Sequence, residues 1–185
     1  MRRPTLAVIG DGTAEAGSPT WGAAFEVGRL AVEAGMRVMT GGLGGVMAAA
    51  SQGARAAAGY HEGDVIGLLP GLDPGAANPW VDIAIATGLD HARNSLVANA
   101  DAVVAVGGGA GTLSELSFAW IYNRLIVALA LPGWSGELAG RRLDARPRNV
   151  TRLDDAIFAA RDAAEAIAIV KERLPDYPKR PAARG

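Results

Sequence analysis

The run Val103-Val104-Ala105-Val106-Gly107-Gly108-Gly109-Ala110-Gly111-Thr112-Leu113-Ser114-Glu115 passes from apolar residues into glycines and then restarts as a helix. Glycines leave no side chains between backbone and ligand, so their N–H groups can face an anion beside the positive end of the helix dipole. The guest such a loop suits is a phosphorylated small molecule. Glu115 admits two readings. Thr112-x-x-Glu115 is a capping-box pattern, in which the carboxylate only satisfies the backbone at the helix start. Alternatively the carboxylate sits one turn from the phosphate loop, near a bound sugar, where it would stabilise an oxocarbenium-like transition state or orient water. Arg93, in Asp90-His91-Ala92-Arg93-Asn94, has a planar fork able to clamp a phosphate bidentately, or is a surface arginine paired with Asp90 or another carboxylate.

These residues need a scaffold, and the chain supplies one. Short Val/Ile/Leu-rich runs alternate with Ala-rich amphipathic segments, the pattern of an α/β, doubly wound Rossmann-like domain whose mostly parallel sheet carries helices on both faces. Strands are predicted at Leu6 to Ile9, Arg37 to Thr40, Asp64 to Leu69, Ile83 to Ala86, Ala102 to Val106 and Leu125 to Ala130. Helices are predicted from Trp21 to Ala34, Gly45 to Ala58, His91 to Asn99 with Asp90 as N-cap, Thr112 to Tyr122, and Asp154 to Leu174. Leu131 to Val150 holds Pro132-Gly133-Trp134-Ser135-Gly136 and the cluster Arg141, Arg142, Arg146 and Arg148. It reads as a long exposed excursion, a solvated loop or a lid. One domain is expected over residues 1–174, followed by a tail, 175–185, too poor in apolar residues to pack.

In an open parallel sheet, ligands sit beyond the carboxyl ends of the strands, at the point where strand order reverses. Three glycine turns fall at such ends: Gly10-Asp11-Gly12-Thr13, Gly41-Gly42-Leu43-Gly44-Gly45, and Gly107 to Thr112. None is a full dinucleotide fingerprint, since Glu15 and Thr112 stand where third glycines belong, and none is followed by Gly-Lys-Ser/Thr. Three together favour binding over tight turn geometry alone. The ligand-contacting set is therefore Gly10, Gly12, Thr13, Gly42, Gly44, Gly45, Gly108, Gly109, Gly111 and Thr112, with Arg93 and Glu115. Met39, Met47 and Trp21 could line a base-sized pocket but fit core positions equally well.

Composition narrows the function classes. With 185 residues, half of them hydrophobic, the chain can bury a sizeable core without staples. It has no cysteine, which excludes disulfides and thiolate catalysis and fits a reducing cytoplasm. No metal site is expected, because His61 and His91 lack acidic partners at ligand spacing. A net charge of −1 gives no pull toward nucleic acid, and no stretch is long enough to span a bilayer.

Gly41-Gly42-Leu43-Gly44-Gly45-Val46-Met47, Ala92-Arg93-Asn94-Ser95-Leu96-Val97 and Gly107-Gly108-Gly109-Ala110-Gly111-Thr112-Leu113-Ser114-Glu115 resemble the LOG-like Rossmann superfamily, over about Thr5 to Val170. That superfamily includes the cytokinin-activating phosphoribohydrolases, once mislabelled lysine decarboxylases, and the molybdenum cofactor carrier proteins. The hydrolase loop reads Pro-Gly-Gly-x-Gly-Thr-x-x-Glu and its arginine is followed by lysine. Here Gly107 takes the proline place and Asn94 the lysine place, which looks more like the carrier branch.

The resemblance implies a binding protein for a phosphorylated, nucleotide-like ligand, with the molybdenum cofactor as the carried molecule and no other cofactor required. The alternative it implies is a phosphoribohydrolase cleaving the N-glycosidic bond of AMP-type nucleoside 5′-monophosphates, in which Arg93 and Glu115 match the catalytic pair. Gly108, Gly109, Gly111 and Thr112 match the phosphate loop in both branches. A homodimer or homotetramer is implied, formed through the helices flanking the glycine loops.

Overall fold

A computed structural model describes residues 2–148 and 154–177. Seven strands form one sheet: β1 (Thr5–Gly10), β2 (Arg37–Thr40), β3 (Val65–Leu69), β4 (Ile83–Ala86), β5 (Ala102–Val106), β6 (Leu125–Leu129) and β7 (Phe158–Ala160). Their order is β4-β3-β2-β1-β5-β6-β7, and each neighbouring pair is parallel. Strand order therefore reverses between β1 and β5, so the loops leaving these two central strands diverge to opposite sides and open the crevice where ligands bind in such sheets.

Successive side chains of a strand face opposite sides, and both sides of the central strands are buried. Leu6 and Val8 of β1, with Val104 and Val106 of β5, enter one core with Val27 and Ala31, Ala49 and Ala50, and Ala166 and Ile167. Those last three pairs come from α1 (Pro19–Glu33), α2 (Val46–Ala56) and α6 (Ala163–Arg173). Ala7, Ile9, Val103 and Ala105 face the second core, with Val97 from α3 (Asn94–Val97) and Leu116 and Trp120 from α4 (Ala110–Ile121). This two-sided burial is why the strands read as continuous apolar runs rather than as alternation.

Helix starts follow local chemistry. Ser18 accepts a hydrogen bond from the Trp21 N–H at 3.2 Å ahead of Pro19 at the first helical position, which opens α1. Asp162 does the same for Glu165 N at 2.8 Å and opens α6.

Several expectations are corrected. The helix expected from Asp154 instead contains β7, and α6 begins only at Ala163. Asp90 is no N-cap: it lies in a 3-10 turn over Asp90–Arg93 with φ of 48°, and no side chain caps that turn or α3. The excursion after β6 is not a plain solvated loop, since it folds into α5 (Trp134–Leu138).

Arg148 is also not solvated. Its side chain is 4% exposed, pairs with Asp155 at 2.8 Å, and its guanidinium carbon lies 4.1 Å from the Trp120 ring centroid. The packed chain continues past Leu174, because Tyr177 is buried and donates its hydroxyl to Asp155 at 2.7 Å, removing that phenol from water. The rest of the expected tail, residues 178–185, lies outside the described residues. Among the described residues no helix is long and apolar enough to cross a membrane, and no three His, Asp or Glu side chains are grouped to hold a metal ion.

Candidate functional site

The three glycine turns meet at the reversal point. Glycine β-carbon positions measure how close they come. A β-carbon on Gly45 would strike Asp11 O at 2.3 Å and Gly12 O at 2.6 Å, and one on Gly44 would lie 3.6 Å from Gly12 O, so the turns after β1 and β2 are in contact. The Val46 N–H at the start of α2 donates to Asp11 O at 2.8 Å. Thr112 ties in the third turn by donating its hydroxyl to Gly10 O at 3.1 Å. Asn78, from the β3–β4 connection, holds the second turn by donating its amide to Leu43 O at 2.9 Å and its backbone N–H to Gly42 O at 2.8 Å.

The turn after β5 is a helix entrance without a side-chain cap. Gly109 is the N-cap of α4 and offers no side-chain acceptor, so the first-turn N–H groups keep their partial positive charge. Gly108 adopts φ of +97°, and a β-carbon there would fall 2.2 Å from Thr112 Oγ1, so only glycine fits. Gly109 and Gly111 have nothing within 4 Å of their β-carbon positions, which leaves open space beside that backbone.

The capping-box reading of Glu115 does not hold. Because α4 begins at Ala110 rather than at Thr112, Glu115 lies in the second turn, beyond the reach of a cap. Its carboxylate meets the Arg93 guanidinium instead, Nη1 to Oε1 at 3.3 Å, with both side chains 10% exposed. Arg93 is thus not the surface partner of Asp90. Burial raises the Glu115 carboxyl to about 7, with Arg93 pulling the other way. Burial likewise lowers the Arg93 pKa, opposed by Glu115, and Arg93 Nε is buried with no hydrogen-bond partner. A guanidinium stripped of water and held by one long contact is under-neutralised, and an approaching anion would complete it.

Residues outside the predicted set build this pair. Gly41 underlies Arg93: a β-carbon there would fall 2.5 Å from both Nη atoms. Asn94 is buried and donates to Ser114 Oγ at 2.7 Å, fastening the Arg93 segment to the Glu115 helix. Gly41 stood inside the glycine motif, yet its service to Arg93 depends on a contact that no local spacing announces. Of the remaining candidates, Thr13 donates its hydroxyl to Asp11 Oδ1 at 2.7 Å within its own turn. Met39 and Trp21 pack against the two cores. Met47 reaches the first turn, its Cε 3.8 Å from the β-carbon position of Gly12.

Known proteins share this fold and much of this sequence. A profile of the SLOG cluster4 family matches residues 3–167. The chain belongs to the SLOG cluster4 family. The resemblance to the LOG-like superfamily read from the glycine and arginine motifs therefore stands. An uncharacterized protein of Archaeoglobus fulgidus is 38% identical over 133 residues, covering 71% of this chain and 83% of that one. The molybdenum cofactor binding protein of Rippkaea orientalis superposes with a TM-score of 0.76 at 33% identity, over 94% of this chain and 99% of that one. The molybdenum cofactor carrier protein of Chlamydomonas reinhardtii gives 0.72 at 30%, with the same coverage of 94% and 99%.

Proposed function

We propose that this protein binds a phosphorylated, nucleotide-like small molecule along the carboxyl edge of β1, β2 and β5, and that it carries the molybdenum cofactor as cargo. The observation that carries the reading is the Arg93 guanidinium, buried, short of hydrogen bonds, and set near an uncapped helix entrance at the point where strand order reverses. In this reading Gly108, Gly109, Gly111 and Thr112 seat the terminal phosphate, Arg93 supplies the formal positive charge, and the turns with Gly10, Gly12, Thr13, Gly42, Gly44 and Gly45 frame the rest of the ligand. The names of the Rippkaea orientalis and Chlamydomonas reinhardtii relatives support the choice of cargo. A homodimer or homotetramer belongs to the same reading, and light scattering that reports a monomer would refute that part.

One observation favours a second reading. A buried Glu115 carboxyl held near 7 can keep a proton at neutral pH, as an acid protonating a departing base must. The protein would then hydrolyse the N-glycosidic bond of a nucleoside 5′-monophosphate seated on the same loop.

Loading with free molybdenum cofactor, rapid desalting and elemental analysis test the first reading. Wild-type protein is expected to retain molybdenum at about one atom per chain under conditions where Arg93→Met retains far less. Wild-type protein that emerges without molybdenum would refute the carrier assignment.

A further inference from the structure

The segment after β6 is fastened to the α4 entrance loop. Trp134 N donates to Gly108 O at 2.9 Å and Ser135 N to Gly107 O at 3.1 Å. Gly107 N donates to Ser135 Oγ at 2.7 Å, and the Ser135 hydroxyl donates onward to Leu129 O at 2.8 Å. Gly133 has φ of +109°, and a β-carbon there would fall 2.7 Å from Gly108 O and 2.8 Å from Gly108 N, so the two backbones lie against each other. Ser135 is fully buried by this arrangement.

The neighbouring residue does the opposite. Trp134 is 37% exposed, and among the described residues it is the one aromatic side chain in the set of exposed large hydrophobics, the others being leucine and isoleucine. A mount hydrogen-bonded to the loop at the α4 entrance thus carries an indole about one third of which is open to solvent. Water is a poor neighbour for an indole, whereas a fused nitrogen heterocycle stacks on it irrespective of its substituents. The open space beside Gly109 and Gly111 lies on the same loop to which Trp134 is hydrogen-bonded.

We propose that Trp134 is the platform on which the planar ring system of the ligand, a purine or a pterin, stacks while the ligand's phosphate occupies the α4 entrance. This rests on the reading of that loop as the phosphate site and adds the residue that recognises the other end of the molecule. Phosphate alone would then give affinity without selectivity, and the indole would select phosphates that bear a flat heterocycle.

Calorimetric titration of the full-length protein with AMP and with ribose 5-phosphate tests this, using Trp134→Ala and Trp134→Phe and far-ultraviolet circular dichroism to confirm folding. Loss of the aromatic face is expected to weaken AMP about tenfold and to leave ribose 5-phosphate unchanged, and phenylalanine is expected to restore most of the difference. Equal AMP affinity in wild type and Trp134→Ala would overturn the proposal. So would an equal loss for both ligands, which would mark the side chain as part of the loop's mount. Wild-type protein that binds neither compound would instead overturn the phosphate-loop reading, and the stacking role with it.

Discussion

Replacing Gly41 by alanine isolates the Arg93 arrangement from the rest of the fold. The backbone at Gly41 is not in the left-handed region, so alanine meets no conformational penalty there, but its methyl would stand 2.5 Å from both Nη atoms and 2.7 Å from Cζ of Arg93. Ordinary contact between such atoms is about 3.5 Å, so the guanidinium must withdraw by about 1 Å. The Arg93–Glu115 contact, already 3.3 Å long, has little slack to absorb that shift. Overpacking of this size costs about 1–3 kcal/mol of stability. Misplacing a charge-assisted ligand contact worth about 1.5–3 kcal/mol lowers affinity by about 10- to 100-fold. Urea unfolding and calorimetric titration with AMP measure the two effects separately. Gly59→Ala, whose β-carbon meets nothing within 4 Å, is the matched control and should change neither. Wild-type AMP affinity in a folded Gly41→Ala protein would refute the claim that Arg93 in its observed position holds the ligand.

Other perturbations follow from the same contacts. Because burial raises the folded Glu115 carboxyl from 4.5 to about 7, stability is full below about pH 4.5 and is lost as pH rises through about 7. At about 1.4 kcal/mol per unit the loss reaches about 3 kcal/mol. Urea midpoints between pH 4.5 and 8.5 should fall in wild type and flatten in Glu115→Gln, and equal slopes would refute the assignment. Arg148→Met removes the 2.8 Å ion pair of buried Asp155, which keeps the Tyr177 hydroxyl and the Arg142 contact at 3.7 Å, and should cost about 1–3 kcal/mol in denaturant unfolding, with unchanged unfolding contradicting the packed role of that arginine. Ser135→Ala deprives Gly107 N of its 2.7 Å acceptor and should cost about 1–3 kcal/mol, which unchanged thermal unfolding would rule out.

The central strands were legible because they are buried on both faces, which leaves unbroken runs such as Ala102–Val106 and Leu125–Leu129. Phe158–Ala160 was missed as a strand because three residues, two of them alanine, merge into the Ala-rich segment that follows. The two acidic helix-start patterns divide instructively. Asp162-x-x-Glu165 is a true cap, whereas Thr112-x-x-Glu115 has the same spacing displaced by three residues, nearly a full turn, from Gly109, the real N-cap of α4. Glycine turns at strand ends revealed the edge of the site, since turn chemistry is local. The Arg93–Glu115 pair joins residues 22 apart across two elements, and Gly41 lies under it from a third, so their proximity is set by the sheet rather than by any local pattern. The same holds for Arg148, which looked solvated because its partners Asp155, Trp120 and Tyr177 are supplied by other segments.

The central claim is that the edge formed by the three glycine turns and Arg93 holds a phosphorylated ligand intact. Incubation of purified protein with AMP and with an N6-prenylated AMP, followed by chromatography for free base and by equilibrium dialysis for bound nucleotide, tests it most directly. The account predicts bound nucleotide and no free base, with binding lost in Arg93→Met. Free base released by wild type and not by Glu115→Gln would contradict it and establish a hydrolase acting through Glu115.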